Sequence, residues 1–252
     1  MIALCSVLLS FMIFYEGFCK QRFAANHAND NSVRYFEKYP NITIPIMIHF
    51  DKALTLRMRK SQPHKMKINV KILSKNLLKK VENIFRRPFL NQRVKFKLLE
   101  ARNLKRRIVN DTNVSIYLKR YCKWQGERKR LRKKSYFSVL LTGLDVYYLN
   151  KGRKVWTSTG RSYKGGVCSA YHSCTLLEWK GRNVDFLLAH EIAHSLGVRH
   201  DSQPRCSKNK YIMGQKYDPL RNPDTWSICS RRDLQEFLMS KESLCLRRDF
   251  KV

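Results

Sequence analysis

The segment from residue 190 to residue 201, HEIAHSLGVRHD, constrains this chain more than any other feature of its sequence. On a helix, His190 and His194 lie one turn apart and point in the same direction, so both imidazoles can bind one metal ion. Gly197 permits a sharp backbone turn, with a positive φ, that returns His200 as a third ligand. Three protein ligands leave one tetrahedral position open, which is typical of a catalytic rather than a structural zinc ion.

The residues around the three histidines complete this catalytic pattern. Glu191 lies on the same helix and is predicted to act as general base on a water molecule at the metal. Surface histidines on an ordinary helix are the alternative, but a glycine, a third histidine and Asp201 all follow at the expected spacing. Apolar residues at near-helical spacing predict an amphipathic helix with one face in the core; they are Val184, Leu187, Leu188, Ile192 and Leu196.

A second motif follows the last histidine, where residues 211–214 read YIMG and Met213 lies thirteen residues after His200. This segment resembles the Met-turn that lies beneath the metal in metzincin proteases, although a lone methionine such as Met213 is usually core filler. Asp201, directly after the third histidine, resembles the reprolysin (ADAM-like) branch of the metzincins. In that position Asp201 is expected to brace the site through hydrogen bonds rather than to bind metal.

The resemblance to reprolysin catalytic domains, and to those of the ADAM-TS type in particular, covers residues 42–248. It is carried by four further segments, which are residues 41–51 (NITIPIMIHFD), 121–125 (YCKWQ), 138–145 (SVLLTGLD) and 165–174, with Gly165-Gly166-Val167-Cys168 and Ser173-Cys174. The chain is also similar to small secreted metalloproteases of arthropod saliva or venom. The resemblance implies peptide-bond hydrolysis with one catalytic Zn²⁺.

The fold that the resemblance implies is the α/β metzincin fold. It has a twisted, mostly parallel sheet with an antiparallel edge strand, a zinc helix and a loop-rich C-terminal subdomain. Periodicity in the sequence agrees, because it predicts strands over residues 42–50, 94–98 and 136–141 and helices over 67–85, after Asp111 or Thr112, and near 231–240. A peptide substrate is expected to pair by its backbone with the edge strand, which comprises Gly160, Arg161, Ser162 and Tyr163.

The first nineteen residues are expected to form a signal peptide. Residues 1–15 are an apolar run too short to span a bilayer, and Gly17 and Cys19 suit signal-peptidase cleavage before Lys20. An uncleaved anchor is the alternative, because no basic residue precedes the run. The expected domains are then a short linker or vestigial pro-segment over 20–41, the protease domain over 42–248 and a tail over 249–252. We expect a secreted protein.

Cleavage before Lys20 leaves an even set of six cysteines, which indicates three disulfides and an oxidising compartment. Six cysteines allow 15 pairings, and spacing alone does not choose among them. A cysteine zinc site is the alternative, although the chain has no C-x-x-C pair. The ADAM-TS resemblance implies three pairs, namely Cys122–Cys174, Cys168–Cys245 and Cys206–Cys229. Glycosylation sequons, compatible with secretion, begin at Asn41, Asn110 and Asn113.

Two features depart from the family pattern. Reprolysins usually carry a long prodomain whose cysteine blocks the zinc, whereas residues 20–41 contain no cysteine, so we expect no cysteine switch. Structural calcium is not expected either. Asp145 matches one family calcium ligand, but Pro45 and Arg248 occupy the places of two others.

The charge of the chain is not explained by the family. Residues 1–134 carry 32 Lys and Arg against 8 Asp and Glu, whereas residues 135–252 carry 19 against 11. This asymmetry indicates an anionic partner, which is a heparin-like glycosaminoglycan or another anionic surface such as an acidic membrane; nucleic acid is not expected for a secreted protein. The alternatives are a merely solvated surface and, for residues 127–134 (ERKRLRKK), a cleavage site for another protease. A basic binding protein with weak proteolysis therefore competes with the protease hypothesis.

Overall fold

A computed structural model describes residues 41–61, 68–105, 111–156, 160–202, 204–206, 210–215, 218, 220 and 223–247. The expected signal peptide and linker up to residue 40 lie outside the described residues, as do Asn110 and Arg248. Within the described ranges, no helix combines the length and the apolar character needed to cross a bilayer.

A five-stranded sheet forms the centre of the fold. Its strands are β1 (Asn41–Phe50), β2 (Arg93–Asn103), β3 (Phe137–Thr142), β6 (Gly160–Ser162) and β7 (Cys174–Glu178), in the spatial order β2-β1-β3-β7-β6. The first four in this order run parallel, and β6 runs antiparallel to β7 at the edge. The predicted α/β fold with an antiparallel edge strand is confirmed. A separate hairpin, which the sequence did not predict, pairs β4 (Tyr148–Asn150) with β5 (Arg153–Val155).

Helices cover both faces of this sheet. They are α1 (Lys52–Ser61), α2 (Val70–Phe85), α3 (Val114–Arg132), α4 (Val184–Ser195) and α5 (Ile228–Met239). Helix α3 packs on the face that Leu140 and Leu176 form, and its Tyr121 hydrogen-bonds His49 of β1 on that face. Successive side chains of a strand point to opposite faces, so the buried Ile44 of β1 points to the other one. Phe96, which pairs with Ile44 in the register, contacts Phe85 of α2 there.

Asparagine side chains start two of the helices. The Oδ1 atom of Asn69 accepts hydrogen bonds from the backbone of α2, and Asn113 does the same for α3. The predicted start of α2 at residue 67 was therefore too early. The predicted caps of α3 were wrong, because Asp111 bonds the backbone N–H of Asn113 and does not cap the helix itself. Asn113 is only 7% exposed. This burial argues against Asn113 as a glycan acceptor.

Three disulfides connect the helices and loops around the sheet. They join Cys122 to Cys174, Cys168 to Cys245 and Cys206 to Cys229, which is the pairing that the family resemblance implies. The first attaches α3 to β7. The other two attach the loop-rich C-terminal part of the chain on both sides of α4.

Candidate metal centre

Helix α4 carries the first two histidines. Nine of its twelve residues are buried, so it is a core helix rather than the amphipathic helix predicted from the sequence. The helix ends at Ser195, and Gly197 then adopts a φ of 87°. A Cβ atom on Gly197 would lie 2.6 Å from Cβ of Phe237. The positive φ and this close approach both require glycine, and the turn brings His200 back to the helix.

The structure brings His190, His194 and His200 together. The Nε2 atom of His200 lies 3.2 Å from that of His190 and 3.0 Å from that of His194. Tetrahedral zinc with Zn–N bonds of about 2.0–2.1 Å separates its nitrogen ligands by roughly 3.3 Å. In the part of the chain that the structure describes, this is the group whose ligand atoms are arranged to hold a metal ion.

Backbone carbonyls fix the tautomers of the two helical histidines. Nδ1 of His190 lies 2.8 Å from the carbonyl oxygen of Ile212, and Nδ1 of His194 lies 2.8 Å from that of Val198. A carbonyl oxygen only accepts, so each Nδ1 carries the proton and each Nε2 presents a lone pair. If Nε2 of His200 carried a proton, that proton could form a hydrogen bond with only one of the two lone pairs, so the other would remain unsatisfied. A cation bonded to all three nitrogen atoms fits the arrangement.

The electrostatic surroundings favour neutral imidazoles. Burial, followed by the neighbouring histidines, lowers the pKa of His190 to about 3. Burial and His200 lower the pKa of His194 to about 4, and burial lowers that of His200 as well. Neutral imidazole is the form that binds zinc. The donor set therefore fits zinc without the loss of a proton at neutral pH.

Glu191 lies on α4 between the two histidines and is 7% exposed. Its Oε2 atom has no hydrogen-bond partner among the described residues. Burial raises the pKa of Glu191 to about 7, although the nearby Ser162 hydroxyl and the charge of Arg161 oppose this effect. The structure thus places a buried carboxyl group, one oxygen of which has no hydrogen-bond partner among the described residues, beside the histidine cluster.

The Met-turn candidate lies against the same cluster. Gly214 N–H donates to the carbonyl of Tyr211 at 3.0 Å and closes the turn, within which Met213 is completely buried. Ile212 in this turn supplies the carbonyl that His190 contacts. The Met213 carbonyl accepts from the backbone N–H of Asp201 at 2.9 Å. The turn is therefore hydrogen-bonded to the segment that carries the first histidine and to the segment that carries the third.

The side chain of Asp201 points into a buried serine pair. Its Oδ1 atom accepts from the hydroxyl of Ser227 and, at 3.4 Å, from that of Ser230, both at the start of α5. Sequence reasoning named Asp201 but missed these two serines, because nothing in their spacing marks them. It also missed the carbonyls of Ile212 and Val198, which carry no side-chain signal.

Strand β6 forms the edge of the sheet beside Glu191. In the described part of the chain β6 is the last strand of the sheet, so its outer edge has no strand partner there. A Cβ atom on Gly160 would lie 2.9 Å from the carbonyl oxygen of Leu176 and 3.1 Å from Cγ of Glu191, so this strand approaches α4 closely. After Tyr163, Gly165 N–H donates to the carbonyl of His194 at 3.0 Å and connects the strand to the helix.

Known proteins resemble this chain in sequence and in fold. Residues 43–249 match the model of the reprolysin (M12B) family of zinc metalloproteases. One relative is the Mus musculus protein named "A disintegrin and metalloproteinase with thrombospondin motifs 19". It is 29% identical to this chain over 196 residues, which cover 68% of this chain and 16% of that protein. This chain is 34% identical over 137 residues to the human protein numbered 20 in the same series, covering 51% and 7%. The chain thus spans under a fifth of the length of these relatives.

A solved structure agrees on the fold. Metalloproteinase-II from Bacteroides fragilis superposes with a TM-score of 0.53 at 14% sequence identity, covering 80% of this chain and 54% of that one. At this low identity the likeness speaks for the fold alone, and it supports the predicted metzincin architecture.

Proposed function

The chain belongs to the reprolysin (M12B) family of zinc metalloproteases, and from this membership we propose that it is a secreted metalloendopeptidase that cleaves extracellular proteins. One observation carries the proposal, which is the convergence of three histidine Nε2 atoms beside a buried carboxyl group whose Oε2 atom has no hydrogen-bond partner among the described residues. His190, His194 and His200 are the proposed ligands. Bound zinc would supply a Lewis acid that polarises the scissile carbonyl and acidifies a water molecule.

Glu191 is the proposed general base. Its carboxylate would take a proton from the attacking water and then deliver that proton to the leaving amine, so no covalent acyl-enzyme is needed. The lack of a hydrogen-bond partner at Oε2 supports this role, because a carboxylate oxygen without a partner can accept the proton without breaking an existing bond.

The outer edge of β6 is the proposed place for the substrate backbone. A peptide that adds to this edge would hydrogen-bond with residues 160–163 and lie beside Glu191. Gly160 supports this geometry because any larger residue would push the strand away from α4.

Secretion is supported by two independent features. Three disulfides are typical of proteins that fold in an oxidising compartment. The apolar run over residues 1–15 has the length of a signal-peptide core.

The assignment of Glu191 is tested with Glu191→Gln, measuring peptide hydrolysis and bound zinc. We expect hydrolysis to fall by about 10²–10⁴-fold while one zinc ion per chain is retained, because the base is lost and the ligands are not. Glu178→Gln is the matched control, since Glu178 is also buried but bonds the backbone of Val146 outside the histidine cluster. His194→Ala should lose both zinc and hydrolysis. Near-normal hydrolysis by zinc-loaded Glu191→Gln protein contradicts the assignment.

A basic binding protein with weak proteolysis is the second candidate function, and the net charge of +32 favours it. A casein digest with and without a metal chelator separates the two candidates. Chelator-sensitive cleavage supports the protease, whereas intact casein in the presence of zinc supports the binding protein.

A further inference from the structure

The fold brings together two basic clusters that are distant in the sequence. Arg102 lies near the end of β2, and Arg128 lies on α3. Both guanidinium groups approach the indole ring of Trp124, at 6.0 Å for Arg102 and 5.3 Å for Arg128, measured to the ring centroid. Two cations therefore share one aromatic neighbour on the α3 face of the sheet.

A buried histidine lies directly beside them. His49 of β1 pairs with Arg102 in the strand register, so their side chains lie next to each other on the same face. His49 is 1% exposed, its ring centroid is 5.6 Å from that of Trp124, and its Nδ1 atom lies 2.8 Å from the hydroxyl of Tyr121. The phenol is the stronger acid and donates to Nδ1, which leaves the proton of the neutral ring on Nε2.

Two polar atoms at this place lack a hydrogen bond. Among the described residues, neither Nε2 of His49 nor Nε of Arg102 has a hydrogen-bond partner, and both atoms are buried. Glu100 lies 3.4 Å from Nε of Arg102 as an ion pair, without the geometry of a hydrogen bond. A buried donor without a hydrogen bond is unfavourable, so Nε2 of His49 beside two guanidinium groups indicates a ligand that supplies acceptor oxygens.

We propose that Arg102, Arg128 and Nε2 of His49 form a binding site for a sulfate group of a glycosaminoglycan chain. A sulfate offers several acceptor oxygens and a negative charge, which match two guanidinium forks and a neutral N–H donor. The polymer would continue along the end of α3, where exposed cations follow at Arg130, Arg132, Lys133 and Lys134. The proposal rests on the extracellular location proposed above.

The recessed donors favour a sulfated polymer over a membrane. An acidic bilayer presents its charge as a layer and is attracted by exposed lysines and arginines. Its headgroups are held in that layer, so they would contact exposed cations before a histidine that is 1% exposed. A single sulfate on a flexible chain would bind Arg102 first, whose side chain is 33% exposed, and from there approach His49.

The test is heparin affinity chromatography of the full-length protein and two double variants that remove equal charge. Arg102→Gln/Arg128→Gln, the recess variant, removes both guanidinium groups of the proposed sulfate site. Arg130→Gln/Lys134→Gln, the control, removes exposed cations only. We expect the recess variant to bind heparin at least about tenfold more weakly and the control at most about threefold more weakly, because hydrogen bonds to charged groups exceed exposed charge attraction. Zinc content and peptide hydrolysis should stay normal in both, which separates this proposal from the proteolytic one.

A second measurement uses inorganic sulfate alone. At equal ionic strength, sulfate should raise the melting temperature of the wild type and the control above the value in chloride, and by clearly less in the recess variant. If the double variant does not retain zinc, Arg128→Gln alone serves in both experiments. Equal losses of heparin binding in the two variants, or elution of the wild type at physiological salt, overturn the proposal. Tighter binding to phosphatidylserine vesicles than to heparin overturns it in favour of a membrane surface.

Discussion

The replacement Gly197→Ala should be among the most damaging single-methyl additions to this fold. The φ of 87° at Gly197 is unfavourable for an L-residue, which costs about 1–2 kcal/mol. The new Cβ atom would also lie 2.6 Å from Cβ and 2.8 Å from Cγ of Phe237, a buried residue of α5. Overpacking of this kind costs roughly 1–3 kcal/mol. The free energy of unfolding should therefore fall by roughly 2–5 kcal/mol.

Gly152→Ala separates the two contributions. Gly152 has a φ of 79°, but no atom lies within 4 Å of the position that its Cβ would take. This variant should lose only the backbone contribution of about 1–2 kcal/mol. Urea unfolding of the chelator-treated proteins measures both variants without a contribution from bound metal.

Zinc binding gives an independent readout. Gly197 lies between His194 and His200, so a shifted backbone should misplace the third ligand, and zinc should stabilise Gly197→Ala less than it stabilises Gly152→Ala. Equal stability of Gly197→Ala and Gly152→Ala, or equal stabilisation of the two variants by zinc, would contradict the effects assigned to Phe237 and to the turn.

Two further predictions concern the rest of the domain. Burial lowers the pKa of Lys129 from 10.5 to about 7. Between these two pH values the unfolded chain holds a proton that the folded chain has released, so the free energy of unfolding rises with pH. The cost of burying charged Lys129 is therefore greatest below pH 7 and shrinks as pH rises. Lys129→Met should accordingly raise the melting temperature more at pH 6 than at pH 10, and a uniform effect would contradict the burial argument. Opening Cys168–Cys245 by double serine replacement should cost about 4.5 kcal/mol and opening Cys206–Cys229 about 3.4 kcal/mol, because the loops span 77 and 23 residues. The reverse order in urea unfolding would argue against loop length as the cause.

The histidine cluster was predictable because helix geometry alone aligns His190 and His194, and a glycine was needed before His200 could return. The orientation of the imidazoles was not predictable in the same way. It depends on the carbonyl groups of Ile212 and Val198, and every residue has a carbonyl group.

Which faces of the helices are buried was harder to predict than where the helices lie. Helix α4 matches a helical pattern, but the pattern does not reveal that other elements cover its second face. Helix α1 was missed for the opposite reason, since only Leu54 of its residues is buried and no apolar period marks it. Its start is set by Asp51, whose carboxylate accepts from the backbone of Leu54 at 2.7 Å. A capping residue alone is weak evidence for a helix in a sequence, because its role becomes clear only when the end of the preceding strand is known.

The contacts that hold the metal centre together run largely through the main chain. Ile212 and Val198 orient histidines with their carbonyls, Met213 binds the backbone of Asp201, and Gly165 binds that of His194. Val198, Ile212 and Met213 are buried, so a replacement must keep the packing, but the bracing hydrogen bond itself does not depend on which side chain is present. Insertion or deletion of one residue is different, because it shifts which carbonyl faces which ring. Replacements that keep the packing should thus be tolerated at these positions far more readily than a change in the length of the loops.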